Sequence, residues 1–438
     1  YHGARARSAR VCWPAMISAD PLLLARRQLE SDRTRTARFP ALLARKITRM
    51  TASPLAFLRG AAPLFYELLA AHPTLAEGPR GKGWIVGDLH IENFGAYRPD
   101  PLAEKAARSR VAFNLNDFDD AVVGPWRYDV LRLTTSLLLA GRELGASGPR
   151  ALDLCARMIA SYVGAAFHGE RAPRRPPVVA ALAERVAQRT RRALLDARTT
   201  LVGGERRFVR GERYRDLERP SPKKVQRAVD EYAQGLDERD RLRKDERVVL
   251  DFALRVAGTG SLGGLRIAVL LRGKGGPDGA WIFDMKEQGV PSPAALVRRS
   301  ALAPAPRVVT AFRAAIPEPP RLLGTATLDG LSMFVRKLTP QEDRLDLSNL
   351  LDPDLDPLAT YLGALVGEAH ARARTALLGS ERPVAPWSAA EQEQMLDRAI
   401  AIAGIHESTY LALCRLTGER GEKHARAAPT ARKRRRAK

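Results

Sequence analysis

The chain has 438 residues, 45% of them hydrophobic, and 72 Lys and Arg against 49 Asp and Glu give a formal net charge of +23. This length exceeds what one hydrophobic core usually fills, so two units are expected, and the apolar fraction is that of a globular protein. No apolar run is long enough to span a bilayer, and three widely spaced cysteines (Cys12, Cys155 and Cys414) exclude a disulfide framework and a zinc knuckle, which leads us to expect a cytoplasmic protein.

Residues 1–40 form a basic segment without the apolar stretch of a signal peptide. From 41 to 70 the pattern is helical, broken at Pro54 and near Pro63. "GWIVGDLH" and "RVAFNLNDFDD" then read as two short strands whose ends open into acidic loops. After "GPWRYDVLRL" a long helical region is expected to run to about Asp245, interrupted by "RAPRRPP" and "ERPSPKK". From 246 to 345 glycines separate strand-like runs, with "LLGTATLDGLSMFVRKL" as a hairpin. Helix returns over 346–418, and residues 419–438 read as a disordered basic tail able to bind nucleic acid or an anionic surface weakly. Elsewhere the arginines are scattered through helix-like stretches without interleaved aromatics, so the charge by itself does not indicate a nucleic-acid platform. The fold class expected is α+β: helices with an acidic site over 41–245, a small antiparallel sheet, and C-terminal helices that complete the helical part.

The chemistry is concentrated in two acidic loops. Asp88 and Asn93 lie five apart in "GDLHIEN", and Asp117 and Asp119 follow in "NDFDD". Magnesium takes hard oxygen ligands and keeps several waters, so one amide oxygen, one or two carboxylates and substrate phosphates suit it. A protein-kinase catalytic loop has an Asp base and a metal-binding Asn at this spacing, with a later Asp on the metal. The motifs resemble aminoglycoside- and choline-kinase-type phosphotransferases more closely, although Val86 stands where those enzymes usually have a first His. That resemblance implies Asp88 as catalytic base and Asn93 and Asp117 as metal ligands, and of the later acids Asp119 and Asp120 are expected to aid metal binding. The competing reading is a solvated acid-rich turn. His90 is expected to orient or pack, since no second His sits at ligand spacing, and Asp129 to cap a helix or pair with a loop arginine.

"GTGSLGG" (Gly258 to Gly264) lies between two strand-like runs, where its backbone can approach phosphate oxygens. Gly258, Gly260, Ser261 and Gly263, with Lys286 at the end of "AWIFDMK", are the candidate nucleotide contacts, against a plain hairpin turn and a solvated strand-end lysine. The helix expected after Lys286, "PAALVRRSALAPAPRVVTAFRAAI", contains no acid to orient that lysine.

In ordinary kinases the glycine loop and lysine precede the catalytic loop, and here they follow it. Together "SPLAFLRGAA", "GDLHIENFG", "NDFDDAVVGPWRYDVLRL", "GTGSLG", "MKEQ" and "LGALVGEAHAR" resemble the bacterial proteins grouped as domain of unknown function 2252, over roughly Ala41 to Thr375. The chain departs from that pattern at "PRVVTAFRAA", where a Gln-rich helix is usual. The expectation is a kinase-like two-lobe fold, circularly permuted, using ATP and Mg2+ to phosphorylate an unknown hydroxyl or amino acceptor. The alternatives are an inactive kinase-fold binding protein, for nucleic acid among other partners, and a metal-dependent phosphoesterase, whose "GDLH" is similar.

Overall fold

The computed structural model describes residues 19–100, 111–378 and 384–427; Cys12 and the end of the basic tail lie outside them. The chain opens with α1 (Pro21–Arg35), started by Asp20, whose carboxylate accepts from the Leu22 and Leu23 N–H groups at 2.9 and 3.3 Å, and by a proline at the first helical position. Short helices α2 (Ala41–Met50), α3 (Pro54–Gly60), α4 (Ala62–Ala71) and α5 (Pro73–Ala76) follow, with Pro54 and Pro63 at helix starts as the sequence suggests. The segment expected only to be basic is therefore partly a packed helix. Lys46 of α2 pairs with Asp32 of α1 at 2.6 Å, and both side chains are buried.

Four short strands carry the acidic loops: β1 (Lys82–Ile85), β2 (Phe94–Tyr97), β3 (Ala112–Leu115) and β4 (Val122–Pro125). β1 pairs antiparallel with β4, Ile85 opposite Val122, and β2 pairs antiparallel with β3, Phe94 opposite Leu115. The β1–β2 and β3–β4 connections consequently lie side by side, and the Asn116 N–H donates to the Asn93 carbonyl at 2.9 Å. Helices α6 (Arg127–Glu143) and α7 (Gly148–Phe167) pack behind them around the largest core, which includes Leu131, Ile159 and Tyr162.

The helical expectation holds through α8 (Pro177–Ala187) and α9 (Arg191–Asp196) and then fails. β5 (Thr199–Val202) and β6 (Glu205–Phe208) form a hairpin, and β7 (Tyr214–Arg215) joins the later sheet. These strands are short, and β6 and β7 carry arginines, so there is little apolar alternation to betray them. α10 (Pro222–Gln234) lays Val225, Val229 and Tyr232 on that same sheet.

The sheet itself adds β8 (Val249–Arg255), β9 (Arg266–Leu271) and β10 (Trp281–Glu287), then, after α11 (Pro304–Ala315), the hairpin β11 (Leu323–Leu328) and β12 (Leu331–Lys337). Its spatial order is β11-β12-β10-β9-β8-β7, antiparallel throughout. Side chains alternate across a strand, so Trp281, Phe283 and Met285 of β10 enter the core under α10 while Asp284 and Lys286 face the other way. β13 (Asp343–Arg344) returns to pair with β2, and α12 (Asp352–Leu378) and α13 (Ala389–Ala427) close the helical part, α12 on α7 and α13 on α1 and α6. α13 continues past residue 418, where a disordered tail was expected to begin. Helices and antiparallel strands are thus segregated into an α+β fold. Cys155 and Cys414 are free thiols, and among the described residues no helix is long and apolar enough to cross a membrane.

Candidate active site

A cleft of about 920 Å³ lies between the glycine-loop face of the six-stranded sheet and the two acidic loops. Asp88, Asn93, Asp117, Asp119 and Lys286 all line it, as do Gly258, Gly260 and Ser261. Residues up to about 200 positions apart in sequence have been brought to one place by the return of the sheet over the acidic loops.

Gly87 explains how the two loops come so close. Its φ is +83°, and a Cβ there would lie 2.1 Å from the Asp120 carbonyl oxygen, so only glycine fits. Asp129 clamps the same turn from below, accepting from the Val86 N–H at 2.6 Å and the Gly87 N–H at 2.9 Å, while the Tyr66 hydroxyl donates to the Gly87 carbonyl. Asp129 is fully buried on α6 and orients the loop without reaching the cleft. His370 of α12 lies 3.1 Å from Asp129 and 3.1 Å from the Tyr162 hydroxyl, and stacks on Trp126.

Asp88 projects from this turn into the cleft and pairs with Arg132, whose Nε donates to it at 2.7 Å. Burial raises the Asp88 carboxyl to about 7, opposed by Arg132 and reinforced by Asp120 and Asp117. A carboxyl poised near neutrality is what a general base requires. His90 is buried and held well below the ordinary imidazole range, first by burial and then by Arg59. Its Nδ1 accepts from the Glu92 N–H at 3.2 Å, so it shapes the turn. The Asn93 Oδ1 accepts from the His90 N–H at 2.9 Å, which aims the amide and leaves its second lone pair.

In the second loop Asp117 is exposed to the cleft, whereas Asp119 is already engaged. Asp119 pairs with Lys286 and accepts from Gln288 Nε2 at 2.8 Å. Burial pulls the Lys286 ammonium below its ordinary range, against the attraction of Asp117. The acid that meets Lys286 thus comes from the acidic loop and not from the helix after β10. That helix, α11, contributes a cation instead: buried Arg307 donates to the carbonyls of Ala121 and, at 2.9 Å, Asp119, and so pins the loop.

The glycine loop is tethered by arginines of the N-terminal helices. Arg49 donates to the Gly258 carbonyl and Arg35 to that of Gly260 at 3.1 Å. A Cβ on Gly260 would stand 3.9 Å from Asp88 Oδ2, so the tip of the loop overhangs the proposed base. Gly263 departs from expectation. It does not line the cleft; its φ is +109°, and a Cβ there would come 2.4 Å from the Arg35 carbonyl oxygen. Its role is to seat the loop on the end of α1. Gly263→Ala is expected to destabilise the chain by about 1–3 kcal/mol, the range for a forced backbone conformation, which urea denaturation would measure; an unchanged midpoint would refute the role.

Asp284, two residues before Lys286 on the same face of β10, is surrounded by guanidinium groups: Arg255 at 2.6 Å, Arg266 at 2.5 Å and Arg336 at 3.9 Å. All three arginines line the cleft and give it a basic wall. Sequence reasoning missed them, along with Arg132 and Arg307, because in an arginine-rich chain no single arginine stands out, and it missed His370, which lies on α12, far from the acidic loops in sequence. Strand alternation from Lys286 could have flagged Asp284. Among the described residues no group of three or more His, Cys, Asp or Glu side chains is gathered as a ready-made metal cage.

A family model described as "uncharacterized protein conserved in bacteria (DUF2252)" matches residues 38–416. The chain belongs to this family. Its matched region contains every DUF2252 motif quoted above and all the cleft residues named from the acidic loops, β10 and the glycine loop, while the whole of α1 precedes it. No curated protein and no solved structure matches the chain.

Proposed function

We propose that this DUF2252 protein is an ATP- and magnesium-dependent phosphotransferase of kinase-like, circularly permuted architecture. The observation that carries this reading is the convergence, in one cleft, of Asp88 beneath the Gly260 tip and of Lys286 beside Asp119. Two features of the fold support the permutation. The run β8, glycine loop, β9, β10 with its lysine, α11, then β11–β12 follows the order in which a kinase begins. The far end of α12 also lies against β1, where a Cβ on Gly83 would be 3.6 Å from Arg374 Cα, so a short link there would restore the ordinary order.

The donor set fits the ligands proposed. Asp117 and Asn93 offer hard oxygens to magnesium, which takes its remaining ligands from phosphate and water. Lys286 and the arginines around Asp284 offer positive charge to a polyphosphate. Bound together, the nucleotide supplies the phosphoryl group and the metal offsets its charge. Asp88 then accepts the proton of the acceptor group, held in position by Arg132, and the Gly258–Ser261 segment covers the phosphates and limits water.

The test is calorimetric titration of ATP with and without magnesium. Magnesium-dependent binding is expected, weakened by at least about tenfold (1.4 kcal/mol) in Asp117→Ala. Absence of binding under both conditions would overturn the reading and leave an inactive binding protein in its place.

A further inference from the structure

The cleft carries a second set of guanidinium groups, distinct from the three around Asp284. Arg35, Arg49 and Arg59, from the last turns of α1, α2 and α3, line it together with Arg344 of β13. Arg59 adjoins the proposed base. A Cβ on Gly260 would lie 3.1 Å from the Arg59 carbonyl oxygen and 3.9 Å from Asp88 Oδ2. The preceding carbonyl, of Leu58, accepts at 2.9 Å from Arg132, the partner of Asp88.

One carboxylate answers this group. Glu92 takes Arg59 at 2.8 Å and Arg344 at 2.6 Å, both on the same oxygen. Arg35 and Arg49 donate to the neutral carbonyls of Gly260 and Gly258, and among the described residues neither meets a carboxylate. The other acids of the cleft are committed elsewhere: Glu287 to Arg38, Glu342 to Arg336, Asp343 to Arg189 and Asp119 to Lys286. Asp120 accepts from the Ser292 N–H at 2.6 Å, and Asp117 is the ligand assigned to magnesium.

The excess of positive charge is felt within the group. Burial, and then the like charges of Arg45 and Arg344, hold the Arg49 guanidinium below its ordinary range with no acid opposing them. Arg59 in addition keeps its Nε–H buried without a hydrogen-bond partner, although buried donors are nearly always satisfied. An anion among these side chains would offset the charge, and guanidinium groups pair in bidentate fashion with carboxylate and phosphate alike. The donor nucleotide does not fill this need, since its phosphates are already met from the sheet by Lys286 and the arginines around Asp284.

We propose that Arg49, Arg59 and Arg344 hold the acceptor, and that the acceptor is a small molecule with a carboxylate or phosphate beside the hydroxyl to be phosphorylated. This rests on the phosphotransferase reading and gives its acceptor a chemical class. The acceptor oxygen bonds to the γ-phosphorus as the bond from that phosphorus to the β–γ bridging oxygen breaks; the proton passes to Asp88 and ADP leaves. Saturation-transfer NMR on the full chain, with magnesium and the non-hydrolysable analogue AMP-PNP bound, tests it with glycerate, glycerol 3-phosphate and glycerol. Both anions are expected to give a signal and glycerol none, and the stronger of the two identifies the anion preferred. Arg49→Met combined with Arg344→Met should weaken binding of both anions by about tenfold, the loss of one charged hydrogen bond, and leave the affinity for magnesium–AMP-PNP as in the parent. Should the double variant not fold, Arg344→Met, on the short strand β13, should lower both signals by itself. No signal from either anion, an equal signal from glycerol, displacement of the anions by AMP-PNP, or loss of AMP-PNP affinity in the variants would each overturn the proposal. Failure of the parent to bind magnesium–AMP-PNP would instead refute the phosphotransferase reading, and the acceptor role with it.

Discussion

Asp88→Asn is expected to lower turnover by about 10²–10⁴-fold, the usual contribution of a positioned general base, while circular dichroism and the melting temperature show an intact fold. Asparagine keeps an oxygen for Arg132 but cannot accept the proton. ADP release from ATP, with or without an added acceptor, is the assay. Because the carboxyl titrates at about 7, kcat/KM of the parent protein should rise with pH up to that value and level off above it. A flat profile, or a variant with full activity, would remove Asp88 from the chemistry. The sign for stability runs the other way. A carboxyl raised from 3.8 to about 7 by folding favours the folded state below 3.8, and this contribution is lost as pH rises through 7. The asparagine variant should therefore lose less stability than the parent over that interval.

Asp284→Asn is expected to destabilise the protein by about 3–5 kcal/mol, the range for removing one partner of a buried ion pair. Asp284 is only 3% exposed at its side chain, against 14% for Arg255 and 13% for Arg266, so water cannot replace the lost charge. Burial by itself would raise this carboxyl, but Arg255 and Arg266 overcome it and hold the group far below the ordinary range. Its contribution to stability is thus complete above the ordinary carboxylate value and is lost as pH falls below it. Chemical denaturation at neutral pH and at about pH 3 should show the gap between parent and variant shrinking in acid. A neutral-pH difference under about 1 kcal/mol, typical of exposed pairs, would mean that the cluster is solvated. The placement of Asp284 also has a consequence for the cleft: one carboxylate holds three guanidinium groups along its wall, so the variant should weaken nucleotide binding as well as the fold.

Much of the site was legible before the fold was known. The acidic loops, the glycine loop and Lys286 announce themselves by residue type, since amides and acids rarely cluster beside glycines without a backbone or ligand reason. The strands that carry them were legible as well, because β1, β3 and β8 to β12 are apolar runs bounded by turn residues. The β5–β6 hairpin and β7 were hidden, their strands being too short and, in β6 and β7, too charged for period-two alternation to register. Helix α13 runs to Ala427, past residue 418, where the disordered tail was expected to begin.

Local chemistry, then, is what the amino-acid order determined by itself: which turns must bend, which runs must pair, and which loops carry acids. Propensity and alternation act over a few residues and need no partner. Partner choice belongs to the tertiary structure alone. The acid that meets Lys286 comes from a loop 167 positions away instead of from the next helix, and Arg307 occupies that helix to hold the loop. Asp284 gathers Arg255, Arg266 and Arg336 from three strands, out of a chain with many equivalent arginines. Charge attraction acts through space at a few ångströms and ignores sequence separation, so only the folded chain could decide which cation each carboxylate would meet.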